Sequence, residues 1–248
     1  MGDLLGPAGW RVTRVSILEI ILNPFAQDPA YHAFADSRTL LGIPNFWNVV
    51  SNLALLISGA WGLVFLAKNS LAGGPLRHVW ATFFLGLVLT AFGSGYYHLG
   101  PDNASLAWDR LAMTVGFMSL FALVIGEYLS AAWANRLLIF LLLIGAGSVW
   151  YWLRTETQGI GDLRPFALVQ FLPMLLVPVI MILRREQSDM GPYLVGMMVF
   201  YAGAKIVEHY DALIYAAGEL MSGHALKHVF AALAGASLLL GLHRRLDD

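Results

Sequence analysis

Apolar stretches of about 20 residues, the length that crosses a hydrocarbon core, recur along this chain at approximately 46–67, 78–99, 106–128, 133–153, 165–183, 192–210 and 224–242. The joins between them are short and carry helix breakers: Gly73-Gly74-Pro75, Gly100-Pro101-Asp102, the run from Gly159 to Arg164, and Gly191-Pro192. The pattern predicts an all-α membrane protein, a seven-transmembrane-helix bundle occupying 46–243 as one domain. An arm with short helices, 1–45, precedes it and a short tail, 244–248, follows. The arm's own apolar run, 15–25, is too short to span, is broken by Pro24 and is followed by no small-residue cleavage pattern, so it does not read as a signal peptide.

Loop charges orient the bundle. Lys68, Arg77, Arg136, Arg184, Arg185, Arg244 and Arg245 all fall on the side shared by the first, third and fifth loops and the tail, which makes that side cytoplasmic. The opposite side has Arg154 and Arg164 in its loops, Arg110 at a helix rim, and Arg11, Arg14 and Arg38 in the arm. The amino terminus is then expected outside and the carboxyl terminus in the cytoplasm.

Composition narrows the class. With 58% hydrophobic and 12% charged residues and a mean hydropathy of +0.66, the chain cannot clothe a soluble surface. A net charge of −1 with scattered charges offers no basic field for nucleic acid. The absence of cysteine excludes disulfides, thiolate nucleophiles and thiolate metal sites, so any metal must be held by histidine and carboxylate.

Against this background a few polar residues stand out. Ser94 and His98 are four apart in the second apolar stretch, His224 and His228 are four apart in the last, and Asp109 opens the third. Residues four apart share a helix face, and the expected topology puts all five at one depth, in the extracytoplasmic half of the membrane. Ionisable groups at that depth are costly and favour function. Three neutral imidazoles with an open position form a catalytic zinc site, at which the pKa of water falls from 15.7 to about 7. Asp109 is the candidate general base and Ser94 a hydrogen-bond donor to water or to a developing oxyanion. The alternatives are structural hydrogen bonding by each histidine and bis-histidine haem ligation.

Other polar positions have plainer readings. Lys205 and Glu208 are placed to pair with each other, and His78 and His243 fall at helix ends, where charged groups snorkel. Asp28-Pro29 reads as a helix start, and the helix it opens would carry Asp28, His32 and Asp36 on one face. That face is either solvated or a site for a second, oxygen-preferring cation. Phe92, Tyr96, Tyr97, Met113 and Phe117 are the candidate walls of an apolar pocket.

The order Ser94-x-x-x-His98, Asp109, His224-x-x-x-His228, together with Phe46-Trp47-Asn48-Val49-Val50-Ser51-Asn52, resembles the alkaline ceramidase family. That family belongs to a group of seven-helix metal-dependent membrane hydrolases that also includes the adiponectin and progestin receptors. The resemblance runs from Phe46 to the end of the last helix. It implies zinc on His98, His224 and His228, Ser94 and Asp109 beside the water, and hydrolysis of a sphingolipid amide to a long-chain base and a fatty acid. Animal and yeast members bind calcium through an acidic arm and carry Glu just before Phe-Trp-Asn. Here Asn45 holds that position and the arm offers only Asp28, His32 and Asp36, which argues against calcium. Short loops and a compact arm point to a bacterial member in the cytoplasmic membrane, taking its lipid from the bilayer. Two other readings follow from the same residues: hydrolysis of a different N-acyl lipid, and a receptor-like protein whose zinc is structural.

Overall fold

The computed structural model describes residues 23–185 and 188–247; the arm's apolar run over 15–22, with Arg11 and Arg14, lies outside them. Nine α-helices are formed among the described residues: α1 (Phe46–Val50), α2 (Leu53–Lys68), α3 (Arg77–Leu99), α4 (Asn103–Tyr128), α5 (Ala131–Thr157), α6 (Arg164–Leu183), α7 (Gly191–His209), α8 (Asp211–Gly218) and α9 (Gly223–Asp247). There is no strand among them, only an isolated bridge between Leu40 and Ile43. Six segments are long and apolar enough to cross a membrane: α1 with α2, α3 with the turn before it, α4, α5, α6 and α9. These are the mark of a multi-pass membrane protein. The expected sixth span, 192–210, is helical as α7, but Lys205, Glu208 and a start rich in Gly, Pro and Tyr leave it less apolar than the others. The tail expected after residue 243 continues α9 to Asp247.

Local chemistry explains the boundaries. Asp102 accepts from the Ser105 backbone N–H at 2.6 Å and Ser105 Oγ accepts from the Asp102 N–H at 3.0 Å, a reciprocal capping box that starts α4. Ser130 caps α5 through Trp133 N. Pro173 and Pro178 lie inside α6, where surrounding helices make up for the lost backbone donors in a way water-exposed helices cannot.

Neighbours in the bundle follow chain order from α2 to α5, α6 leans on α4 and α5, and α9 closes the ring against α7 and α2. Large side chains such as Leu143, Ile144, Trp150, Leu175 and Ile182 face outward. Lipid tails are as apolar as these residues, so close packing must hold the helices together instead. Small residues provide it. A Cβ on Gly86 would sit 2.7 Å from Gly116 N, and one on Gly93 would sit 2.8 Å from the Trp108 carbonyl and 3.2 Å from Asp109 Cα. These two glycines, seven residues apart, bring α3 and α4 into backbone contact. At the end remote from the histidines, Trp80, Phe84, Val124, Val177, Leu238 and Leu242 form a dry core. Arg245 ties that end together by pairing with Glu127, Asp189 and Ser188.

Candidate functional site

His98 lies in the last turn of α3 and His224 and His228 in the first turns of α9, so the ends of two helices deliver three imidazoles to one place. One ring nitrogen from each lies within 4.8 Å of the others. All three side chains are buried, His98 completely. Both ring nitrogens of His98 and Nε2 of His224 have no hydrogen-bond partner among the described residues. An unpaired buried polar atom costs about 1–3 kcal/mol, and native proteins leave few of them. The three histidines could hold a metal ion, which would take one nitrogen from each ring.

The surroundings orient the rings. Ser51, in the turn between α1 and α2, places Oγ 2.8 Å from His228 Nδ1 and donates to the Asn48 carbonyl at 3.3 Å. With its proton on Asn48, the hydroxyl accepts Nδ1–H from His228. The Nε2 lone pair is then free on the side that Ser94 Oγ approaches at 3.4 Å. Asp211, at the start of α8, accepts the His224 backbone N–H at 2.6 Å and the Ala35 N–H at 3.1 Å, which fixes the start of α9 and the arm together. Phe34 of the arm covers the cluster, with ring centroids 4.8 Å from His98 and 4.6 Å from His224. Asn45, in the left-handed conformation at φ 47°, reaches back to the His98 carbonyl at 2.9 Å.

Asp109 is buried, and its Oδ1 has no hydrogen-bond partner among the described residues. The Gly93 contact sets its backbone against α3, one residue from Ser94. Asp109, Ser94 and His228 line one end of a cavity of about 340 Å³ that continues down α4 past Met113, Phe117 and Leu120. From Asp109 to Leu120 a helix rises about 16 Å, and nearly all of that wall is apolar. Of the pocket walls expected from sequence, Met113 and Phe117 hold. Phe92 and Tyr96 point outward, and Tyr97 is buried with its hydroxyl 2.9 Å from His32 Nδ1.

The arm differs from its expected form. Asp28 does cap a helix start, accepting from Ala30 N at 2.9 Å, but the helix is one 3-10 turn, Pro29–His32. Asp28, His32 and Asp36 therefore share no helical face. His32 is held by Tyr97 and by Asn103 at 3.1 Å. Both Asp36 carboxylate oxygens receive Arg38, whose side-chain hydrogen bonds hold that carboxyl below its ordinary value. The anticipated Lys205–Glu208 pair is present, and Lys227 joins it at 2.7 Å from Glu208.

Sequence reading missed Ser51 as the partner of His228, Phe34 as the cover, and Lys227 and Arg110 as cavity groups. Ser51 was visible only as part of the Phe-Trp-Asn-x-x-Ser-Asn stretch, and Lys227 as a charge between two histidines in an oily helix. Neither the protein-family models nor the curated proteins give a match to this chain.

Proposed function

We propose that this protein is an intramembrane lipid amide hydrolase of the alkaline ceramidase kind, carrying zinc on His98, His224 and His228. The observation that supports this reading is that His228, one of three clustered histidines, shares the lining of a largely apolar cavity with Ser94 and Asp109. Three neutral nitrogen donors suit zinc. In this reading α7 is the seventh span: its 19 residues rise about 28 Å, and its Glu208 is neutralised by Lys205 one turn earlier and by Lys227 of α9. The loop charges put the amino terminus and the site on the outer side.

A zinc ion bound there supplies Lewis acidity, which lowers the pKa of water to about 7. Asp109 takes the proton from the attacking water and passes it to the departing amine nitrogen. Ser94 donates a hydrogen bond to the oxygen of the amide carbonyl as negative charge gathers on it. Phe34 keeps bulk water out of the cluster, and the cavity wall from Met113 to Leu120 holds the acyl chain. The products are a fatty acid and an amine, a sphingoid base where the substrate is ceramide, as the sequence resemblance implies.

The test is incubation of purified, metal-analysed protein with ceramides of varied chain length, N-acylethanolamines and N-acyl amino acids, with freed fatty acid detected by mass spectrometry. Release of fatty acid from at least one class, lost in His228→Ala, is the expected result. No release from any class by zinc-loaded protein would reject the hydrolase reading.

A further inference from the structure

Arg110 follows the candidate base on α4, lines the same cavity and is only 6% exposed. Its guanidinium carbon lies 4.1 Å from the Trp152 ring, 4.8 Å from Phe166 and 5.9 Å from Tyr31. Nη2 donates to Gln27 Oε1 in the arm, while Nη1 is buried with no partner among the described residues. A guanidinium is always charged and is shaped for two parallel bonds to a carboxylate. Among the described residues no carboxylate is hydrogen-bonded to it. The carboxylate of Glu156 instead accepts from Gln27 N at 2.5 Å and Trp152 Nε1 at 2.9 Å.

A second cation, Lys227, lines the same end of the cavity. Its partner Glu208 is shared with Lys205. Asp109, Glu156, Glu208 and Asp211 stand against Arg110, Lys205 and Lys227, and a divalent cation on the three histidines would leave this low-dielectric region with one uncompensated positive charge. Uncompensated charge at membrane depth is costly.

We infer that the cavity recognises a carboxylate through Arg110, with Lys227 as the second cation, and that the substrate is an N-acyl amino acid, whose head group carries that carboxylate beside the amide. This inference rests on the amide hydrolase reading and parts from ceramide, whose head group is neutral. Cleavage breaks the amide C–N bond by addition of water and yields a fatty acid and an amino acid, with no further reactant. The same chemistry could be met by a free fatty acid, the product of the reaction, so the test separates the two.

Binding is measured by calorimetry on the zinc-loaded protein with three probes: dodecanoate, and ketomethylene analogues of N-dodecanoylglycine and N-dodecanoylethanolamine, in which CH2 replaces the amide NH and blocks cleavage. A charge-assisted hydrogen bond contributes about 1.5–3 kcal/mol, so the glycine analogue should bind about ten- to a hundredfold more tightly than the ethanolamine analogue. Arg110→Gln should erase that preference, and Arg110→Lys should keep part of it, which separates loss of charge from loss of fold. Equal binding of the two analogues by the native protein, or an undiminished preference in Arg110→Gln, would overturn the proposal. So would an Arg110-dependent preference confined to dodecanoate, because the carboxylate recognised would then belong to the product. None of these outcomes touches fatty acid release across the whole panel of N-acyl lipids, by which the hydrolase reading stands or falls separately.

Discussion

The Ser51 hydroxyl lies 2.8 Å from Nδ1 of His228, a contact that occupies this nitrogen and leaves Nε2 as the one available to a metal ion. Partners of this kind are worth about 10–100-fold in metal affinity. Ser51→Ala should weaken zinc binding by that factor, read by competition with a chromophoric chelator, while the helical content of the bundle stays unchanged. Unaltered affinity would mean that the ring is oriented by packing alone.

Gly93 and Gly95 form a matched pair on α3. A methyl group on Gly93 would meet the Trp108 carbonyl at 2.8 Å, whereas one on Gly95 meets nothing within 4 Å. Overpacking against backbone costs about 1–3 kcal/mol, and replacing an unconstrained helical glycine by alanine gains about 0.4–1 kcal/mol. Gly93→Ala should therefore lower the melting temperature and, by pushing Ser94 away from Asp109, lower turnover as well. Gly95→Ala should leave turnover intact and hold or raise the melting temperature.

Asp36 gives the arm a dependence on pH. Its carboxyl is held below its ordinary 3.8 by the side-chain hydrogen bonds from Arg38. A depressed folded value means that the stabilisation is fully present above the unfolded value and is lost as pH falls through the folded one. Protection of the amides at residues 34–40, taken relative to their intrinsic exchange rates, should be constant above about pH 5 and fall in acid below 3.8. Asp36→Asn should remove that acid-side change. Arg38 also donates to the Leu220 carbonyl at 2.9 Å, so the loop before α9 should loosen with the arm.

Metal removal separates a hydrolytic ion from a structural one. Chelation should abolish fatty acid release with a modest fall in melting temperature, because the dry core around Trp80, Phe84 and Leu238 lies at the far end of the bundle. A large drop in melting temperature without any hydrolytic activity to lose would favour the receptor-like alternative.

Much of this was readable in the residues. The long apolar runs and their Gly and Pro joins marked the helices, because a membrane helix announces itself by length. The i, i+4 spacing of His224 and His228 put both on one face of α9, and Asp28-Pro29 marked a real cap. What the sequence could not convey is what depends on how helices meet. The seating of Asp109 comes from a backbone contact at Gly93, and the partner of His228 comes from Ser51, 177 residues away. Phe34 covers the site from a stretch with no helical period. The arm misled because Asp28, His32 and Asp36 have helical spacing, yet the chain leaves the helix after one turn and Asp36 finds Arg38 two residues on.

If Asp109 and the three histidines act as one hydrolytic centre, Asp109→Asn and the native protein should part in fatty acid release from the best N-acyl lipid while matching in zinc content. General base catalysis contributes about 10²–10⁴-fold. Asp109→Asn should keep its zinc and lose turnover by at least about a hundredfold. Full turnover in that variant, with zinc present, would contradict it.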